Sequence, residues 1–243
     1  MKQFWKSWKN KTKIEKSAID VLGKGFKIIL NNISKEKIIA IYVKGSFSKR
    51  ELTKNSDVDV ITIVKDTKTL KKLKNLHNKY SKSFNPKFEF GGYALWELKT
   101  GKRSKVRLRP GPGISRVVKH FKYNKLIYGK PINFEEFFTK SHEEDFKDMI
   151  NLFKDLFFPM YNKNEMSFSD LIKQVFWLTD FEELFKGKNP PHSFKKLDKS
   201  IKDKNHIIHD ALIFRLKPTK DKKLRERFII KLKKHLNGLE KII

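Results

Sequence analysis

Two aspartates one residue apart, Asp57 and Asp59, follow a glycine-serine pair, Gly45-Ser46, across a short polar stretch. In an extended strand alternate residues share a face, so Asp57 and Asp59 point together while Val58 and Val60 point into a core. Two neighbouring carboxylates repel one another unless a cation lies between them. Mg²⁺ suits that arrangement, because it takes a few carboxylates and fills its other positions with water and phosphate oxygens. Gly45-Ser46, at the end of a preceding strand, adds unhindered backbone N–H groups and a hydroxyl able to donate to phosphate oxygens. Together these parts can hold a metal-bound triphosphate in line for attack.

That chemistry requires strands on either side. The apolar run Ile38-Ile39-Ala40-Ile41-Tyr42-Val43 predicts a short buried strand ending at Gly45, and Val58 to Val64 predicts a second. Upstream, Ile14 to Ile33 predicts an amphipathic helix, with Ala18, Leu22, Phe26, Ile29 and Ile33 at three- and four-residue steps. Gly23 and Gly25 run against its helix propensity. Lys68 to Lys82 predicts a basic helix with Leu70, Leu73 and Leu76 inward, ended by Pro86. Lys87 to Leu98 predicts a third strand, with Gly91-Gly92 as a bulge or bend. The order helix, strand, strand, helix, strand indicates an α/β domain. From Arg103 to Lys130 the pattern is weak: Arg109-Pro110-Gly111-Pro112-Gly113 is a loop, and Ile114 to Phe121 offers one or two helical turns. Beyond Glu135 only helices are predicted: Asp145 to Phe158, Ser169 to Phe185 with Ser167 or Ser169 as N-cap, His206 to Leu216, and Leu224 to Ile243. Two domains are therefore expected, 1–138 and 139–243.

Gly45-Ser46-Phe47 followed by Ser56-Asp57-Val58-Asp59 resembles the signature of the polymerase-β-like nucleotidyltransferase superfamily, in particular its small stand-alone archaeal and bacterial members. The motif match covers residues 37–64, and the order of elements extends the likeness to residue 130 or so. The resemblance implies an α+β fold: a polymerase-β-type α/β domain with a small mixed sheet, then an all-α helical bundle. It implies a metal-dependent enzyme that moves a nucleoside monophosphate from a nucleoside triphosphate to a hydroxyl and releases pyrophosphate. Two Mg²⁺ ions would be held by Asp57, Asp59 and a third carboxylate on a later strand, which helps deprotonate the acceptor hydroxyl. Glu89, between Phe88 and Phe90, is the candidate for that group and Glu97 the alternative. Gly45 and Ser46 would hold the phosphates of the triphosphate, ATP by default, with Lys44, Lys49, Arg50 and Arg107 or Arg109 as candidate cations. Many small members carry Ala-Arg-Gly just after the Gly-Ser-x. This chain has Ser48-Lys49-Arg50, which removes a glycine from the turn and adds a charge near the phosphates. Tyr128-Gly129-Lys130 resembles a turn that leads into the helical region of small antibiotic-modifying members, and equally fits an ordinary turn.

A chain of 243 residues can bury a real core, and 38% hydrophobic residues with 21 phenylalanines exclude a disordered chain. There are 56 lysines and arginines against 27 acidic residues, a net charge of +29, which concentrates polyanions near the protein. The expected partner is a nucleoside triphosphate, with RNA as a further candidate. The competing source of the charge is a compositional bias, since the lysines are spread along the whole chain. An inactive protein of the same fold, acting as a basic RNA- or ribosome-binding module, is the alternative function; the intact Asp-x-Asp argues against it. The acceptor is an RNA 3′ end, a small molecule or a protein, and the oligomeric state is open. With no cysteine, disulfides and thiolate metal ligands are excluded. No apolar run is long enough to span a bilayer, and Met1 to Lys16 lacks the apolar core of a signal peptide, so a cytoplasmic protein without a membrane partner is expected. His206, His209 and Asp210 share a helix face but supply only three of the four ligands zinc takes. The aromatic residues Phe153, Phe157, Phe176, Trp177, Phe181 and Phe185 predict helix–helix core, with Trp177 or Phe181 able to stack on a ligand ring if it faces a cleft.

Overall fold

The computed structural model describes residues 1–54, 56–106 and 113–243. The chain divides into two compact units, Met1–Thr139 and Lys140–Ile243.

In the first unit four strands, β1 (Ile38–Lys44), β2 (Val58–Val64), β3 (Phe88–Ala94) and β4 (Lys125–Gly129), form one mixed sheet in the order β3-β2-β1-β4. β1 runs antiparallel to β2 and β4, and β2 runs parallel to β3. The helices are α1 (Lys13–Asn32), the single turn α2 (Gly45–Ser48) between β1 and β2, α3 (Thr67–Tyr80) crossing from β2 to β3, α4 (Leu95–Thr100) and α5 (Ile114–His120). α1 opens on a capping box: the Thr12 hydroxyl accepts from the Glu15 N–H and the Glu15 carboxylate accepts from the Thr12 N–H. Asp66 caps α3, and the Thr69 N–H and hydroxyl, with Lys37, hold its carboxyl down at about 2.

Both faces of the sheet are covered, which explains the unbroken apolar runs of β1 and β2. On one face Ile41, Val43, Val58, Val60, Phe88 and Phe90 pack with Leu22 and Ile29 of α1 and Leu70 and Leu73 of α3. On the other, Ala40, Tyr42, Ile61 and Ile63 pack with Leu98, Ile114, Val118 and Phe121. Gly25, a liability for helix propensity, lies under Phe88: a Cβ there would fall 2.4 Å from the ring.

Three expectations are corrected. No bulge occurs at Gly91-Gly92, because β3 stays in register with β2 from Val58↔Phe88 to Val64↔Ala94; Gly92 instead makes room for Leu73, whose Cδ2 would lie 2.4 Å from an added Cβ. The third strand ends at Ala94 rather than Leu98, since Glu97 accepts from the Ala94 N–H (2.8 Å) and the Ser104 N–H (2.7 Å) and so turns the chain into α4. The weak region contains a strand, β4, whose Gly129 takes φ +80 and lets the backbone meet β1; a Cβ there would fall 2.1 Å from the Ile39 carbonyl oxygen.

The second unit holds helices only: α6 (His142–Leu152), a π-helical turn (Phe153–Phe157), α7 (Phe158–Asn162), α8 (Phe168–Phe185), α9 (Phe194–Ser200), α10 (Ile207–Leu216) and α11 (Lys222–Glu240). Ser167 caps α8, accepting from the Asp170 N–H. Phe146, Phe153, Leu171, Val175, Phe176, Phe181, Ile208 and Leu232 form its core. Phe181 is only 1% exposed and so has no face for a ligand ring. Among the described residues, no helix is long and apolar enough to cross a membrane.

Candidate active site

β1 delivers Lys44 to the α2 turn, where Gly45 adopts φ +73. A Cβ on Gly45 would lie 2.7 Å from Asp59 Oδ2, so this position needs glycine both for its left-handed backbone and for its closeness to the carboxylate. The antiparallel register sets Lys44 opposite Asp59, and the parallel register sets Asp59 opposite Glu89. Lys44, Asp59 and Glu89 thus form one row across three strands that are about 4.8 Å apart. The row lies on the face opposite Val58, Val60, Phe88 and Phe90. Asp57 stands just before β2, and its carboxylate, like the Ser46 hydroxyl, has no hydrogen-bond partner among the described residues.

The other sequence candidates are placed as follows. Glu89 is 5% exposed, with Oε1 2.9 Å from Lys87 Nζ and Oε2 3.5 Å from His77 Nδ1. Glu97 spends both oxygens on backbone N–H groups, which leaves Glu89 as the carboxylate in the row. Lys49 is half-buried just after α2. Arg50 takes φ +59, the conformation a glycine would adopt, and its guanidinium is committed to Glu15 and to the carbonyls of Lys9 and Asn10 rather than offered to phosphate. The replacement of glycine in this turn therefore keeps the glycine geometry. Arg107 and Arg109 lie outside the described residues.

Two arginines lie near enough to Tyr93 to act on its phenol. Tyr93 points the same way as Glu89; burial pushes its phenol up, and Lys44, Arg103 and Arg116 pull it back. Arg103 and Arg116 carried no individual signal. The chain has only eight arginines, however, and four of them (103, 107, 109 and 116) fall in one short stretch of a lysine-rich sequence. Clustered guanidinium groups, planar and weakly hydrated, suit phosphate better than the surrounding lysines do.

In the second unit the three candidate zinc ligands separate: His209 Nδ1 meets Asp198 (2.8 Å), Asp210 meets Lys231 (2.6 Å) and His206 meets Glu182 (3.0 Å). Glu182, His206 and His235 converge instead, their ligand atoms within 4.8 Å of one another. His206 caps α10, its Nδ1 accepting from the Ile208 N–H, which puts the ring proton on Nε2, the atom facing Glu182. A metal would need that lone pair, so the group is a hydrogen-bond network.

Residues 27–94 match the family model described as Polymerase beta, Nucleotidyltransferase, a span that contains Gly45, Ser46, Asp57, Asp59 and Glu89. That span, rather than the whole chain, is what resembles a nucleotidyltransferase domain of the polymerase-β type. Among solved structures it is similar to spectinomycin adenyltransferase AAD(9) from Enterococcus faecialis, determined with ATP and spectinomycin. The identity is 16% over 89% of this chain and 98% of that one, with a TM-score of 0.46. Comparison with curated proteins finds no match.

Proposed function

We propose that the first unit is the catalytic domain and that it transfers a nucleoside monophosphate from a Mg²⁺-bound triphosphate, ATP by first choice, to a hydroxyl acceptor. The observation that carries this reading is the row Lys44–Asp59–Glu89, with Asp57 two residues before its middle member, closed against a Gly45-Ser46 turn. Its donor set is hard oxygen, which suits Mg²⁺, and the ions would sit on Asp57 and Asp59 with Glu89 as the third carboxylate. When bound, they neutralise the triphosphate and polarise the phosphoryl group.

The chain's own groups do the rest. The Ser46 hydroxyl and the backbone N–H groups of the turn donate to phosphate oxygens. Lys44, Lys49, Arg103 and Arg116 balance the remaining charge. Glu89 takes the acceptor proton in this reading; the freed oxygen bonds to the α-phosphorus as the bond to the bridging oxygen breaks, and pyrophosphate leaves. The +29 charge favours a polyanionic acceptor, an RNA 3′-hydroxyl, over a neutral one. The test is incubation with each α-³²P triphosphate and Mg²⁺ in the presence of total RNA or a metabolite extract. Label is expected in the RNA fraction. Label in small molecules would transfer the reading to that acceptor, and no label with any triphosphate would remove it.

Gly45→Ala provides a local test. The left-handed backbone costs about 1–2 kcal/mol for a residue with a Cβ, and the methyl group displaces Asp59 Oδ2. Activity is expected to fall on the order of 10²-fold, the scale of a small misplacement of a reacting group. Circular dichroism should show the fold retained at room temperature.

A further inference from the structure

The α2 turn does not hold itself. It is four residues long, has no side-chain N-cap, and its local bonds include Ser48 Oγ to the Gly45 carbonyl (2.9 Å), the Glu51 N–H to the Ser46 carbonyl (2.8 Å) and the Arg50 N–H to the Phe47 carbonyl (3.2 Å). A helical turn that short is unstable unless tertiary packing fixes it. The packing comes from the segment before α1. Phe47, next to Ser46, is fully buried, and the rings of Phe4, Trp5 and Trp8 surround it at centroid distances of 5.6, 6.0 and 5.6 Å. The Lys2 N–H donates to the Ile127 carbonyl (2.7 Å), tying this segment to β4.

The far end of the turn is held by the same segment together with the first turn of α1. Arg50 Nε donates to Glu15 Oε1 (2.7 Å), Nη2 donates to the Lys9 carbonyl (2.6 Å), and the guanidinium lies 5.3 Å from the Trp8 ring centre. Glu15 is 6% exposed; the Arg50 hydrogen bond lowers its pKa against the opposing effect of burial. Arg50 and Asn10 both sit in the left-handed region, at φ +59 and φ +48, and Asn10 contributes its carbonyl oxygen to Arg50. Two strained residues that face each other across one latch are maintained only where the surroundings over-determine them.

We propose that residues 4–15 are a positioning strap for the nucleotide site, with Phe47 as its anchor and Arg50–Glu15 as its latch. The proposal rests on Gly45-Ser46 being the triphosphate cradle. By fixing the turn from behind, the strap keeps the cradle's donors aligned before the triphosphate arrives, and this pre-organisation appears as affinity. Arg50 is a positioning residue and makes no contact with phosphate.

Arg50→Gly is the informative variant, because glycine relieves the left-handed backbone while it removes the latch. Glu15→Gln, which weakens the latch from the other side, is the second. The readouts are the Kd of radiolabelled Mg²⁺·ATP, KM for triphosphate and for acceptor, kcat, and Tm. Both variants are expected to bind Mg²⁺·ATP about tenfold more weakly and to raise the triphosphate KM by the same factor, with acceptor KM unchanged. Wild-type affinity and triphosphate KM in both variants, whatever their Tm, would overturn the strap and leave the nucleotide site standing. Failure of the wild-type protein to bind Mg²⁺·ATP would overturn the site and the strap together.

Discussion

Asp59→Asn is expected to cut transfer from an α-labelled triphosphate by about 10³-fold, or roughly 4 kcal/mol of transition-state stabilisation, and Asp57→Asn by a similar factor. Asparagine keeps the shape and one oxygen but loses the charge that draws a divalent cation. Structure should survive in both cases. Asp57 has no hydrogen-bond partner among the described residues, and removing its charge relieves a repulsion with Asp59. For Asp57→Asn in metal-free buffer Tm is therefore expected to stay level or rise slightly, while in both variants the stabilisation that Mg²⁺ confers on the wild type shrinks. Glu89→Gln should differ in kind, since it also breaks the contacts to Lys87 and His77 and so lowers Tm. Unchanged labelling in both aspartate variants would move the reaction centre away from β2.

The parts of this arrangement that sequence reading reached are those encoded locally. β1 and β2 are runs of β-branched residues because both of their faces are buried, and Gly45-Ser46 interrupts such a run abruptly. Glu89 was distinguishable because Phe88 and Phe90 fix its face. What stayed hidden depends on partners far along the chain. β4 is an edge strand with only Ile127 fully buried, so its pattern is faint until β1 is placed beside it. Leu95-Trp96 prolongs the apolar run of β3, and only the Glu97 cap makes it a helix. Arg50 looked like a phosphate ligand because its position beside the turn was legible and its partner Glu15, 35 residues away, was not. Arg103 and Arg116 enter only when the chain returns to Tyr93. Local pattern therefore placed the carboxylate row, whereas the support behind it came from long-range packing.

The same contrast applies to Glu182, which periodicity assigns to a helix and tertiary structure turns into a buried hub. Glu182→Ala is expected to destabilise the second unit by about 3 kcal/mol, the scale of removing one member of a buried charged network. That corresponds to a fall in Tm on the order of 15 °C for a unit of this size. The carboxylate is 2% exposed and lies 3.0 Å from His206 Nε2, 3.3 Å from His235 Nε2 and 2.5 Å from Lys186 Nζ. Burial pushes its pKa up, but the hydrogen bonds from His206 and His235, with Lys186, overcome that and hold it well below the ordinary 4.5. The unfolded chain takes up a proton at its normal pKa while the folded one refuses it, so the network's contribution is complete above pH 4.5 and drains away as pH falls below it. Glu182→Gln cannot titrate and keeps a single acceptor oxygen. It should be less stable than the wild type at pH 7, and the gap should narrow steadily from pH 4.5 to pH 3, where the wild type loses what the variant never had. Urea midpoints at four or five pH values in that window measure the gap directly, and curves that stay parallel would mean that Glu182 is protonated already at neutral pH and that the histidines hold it as a neutral acid.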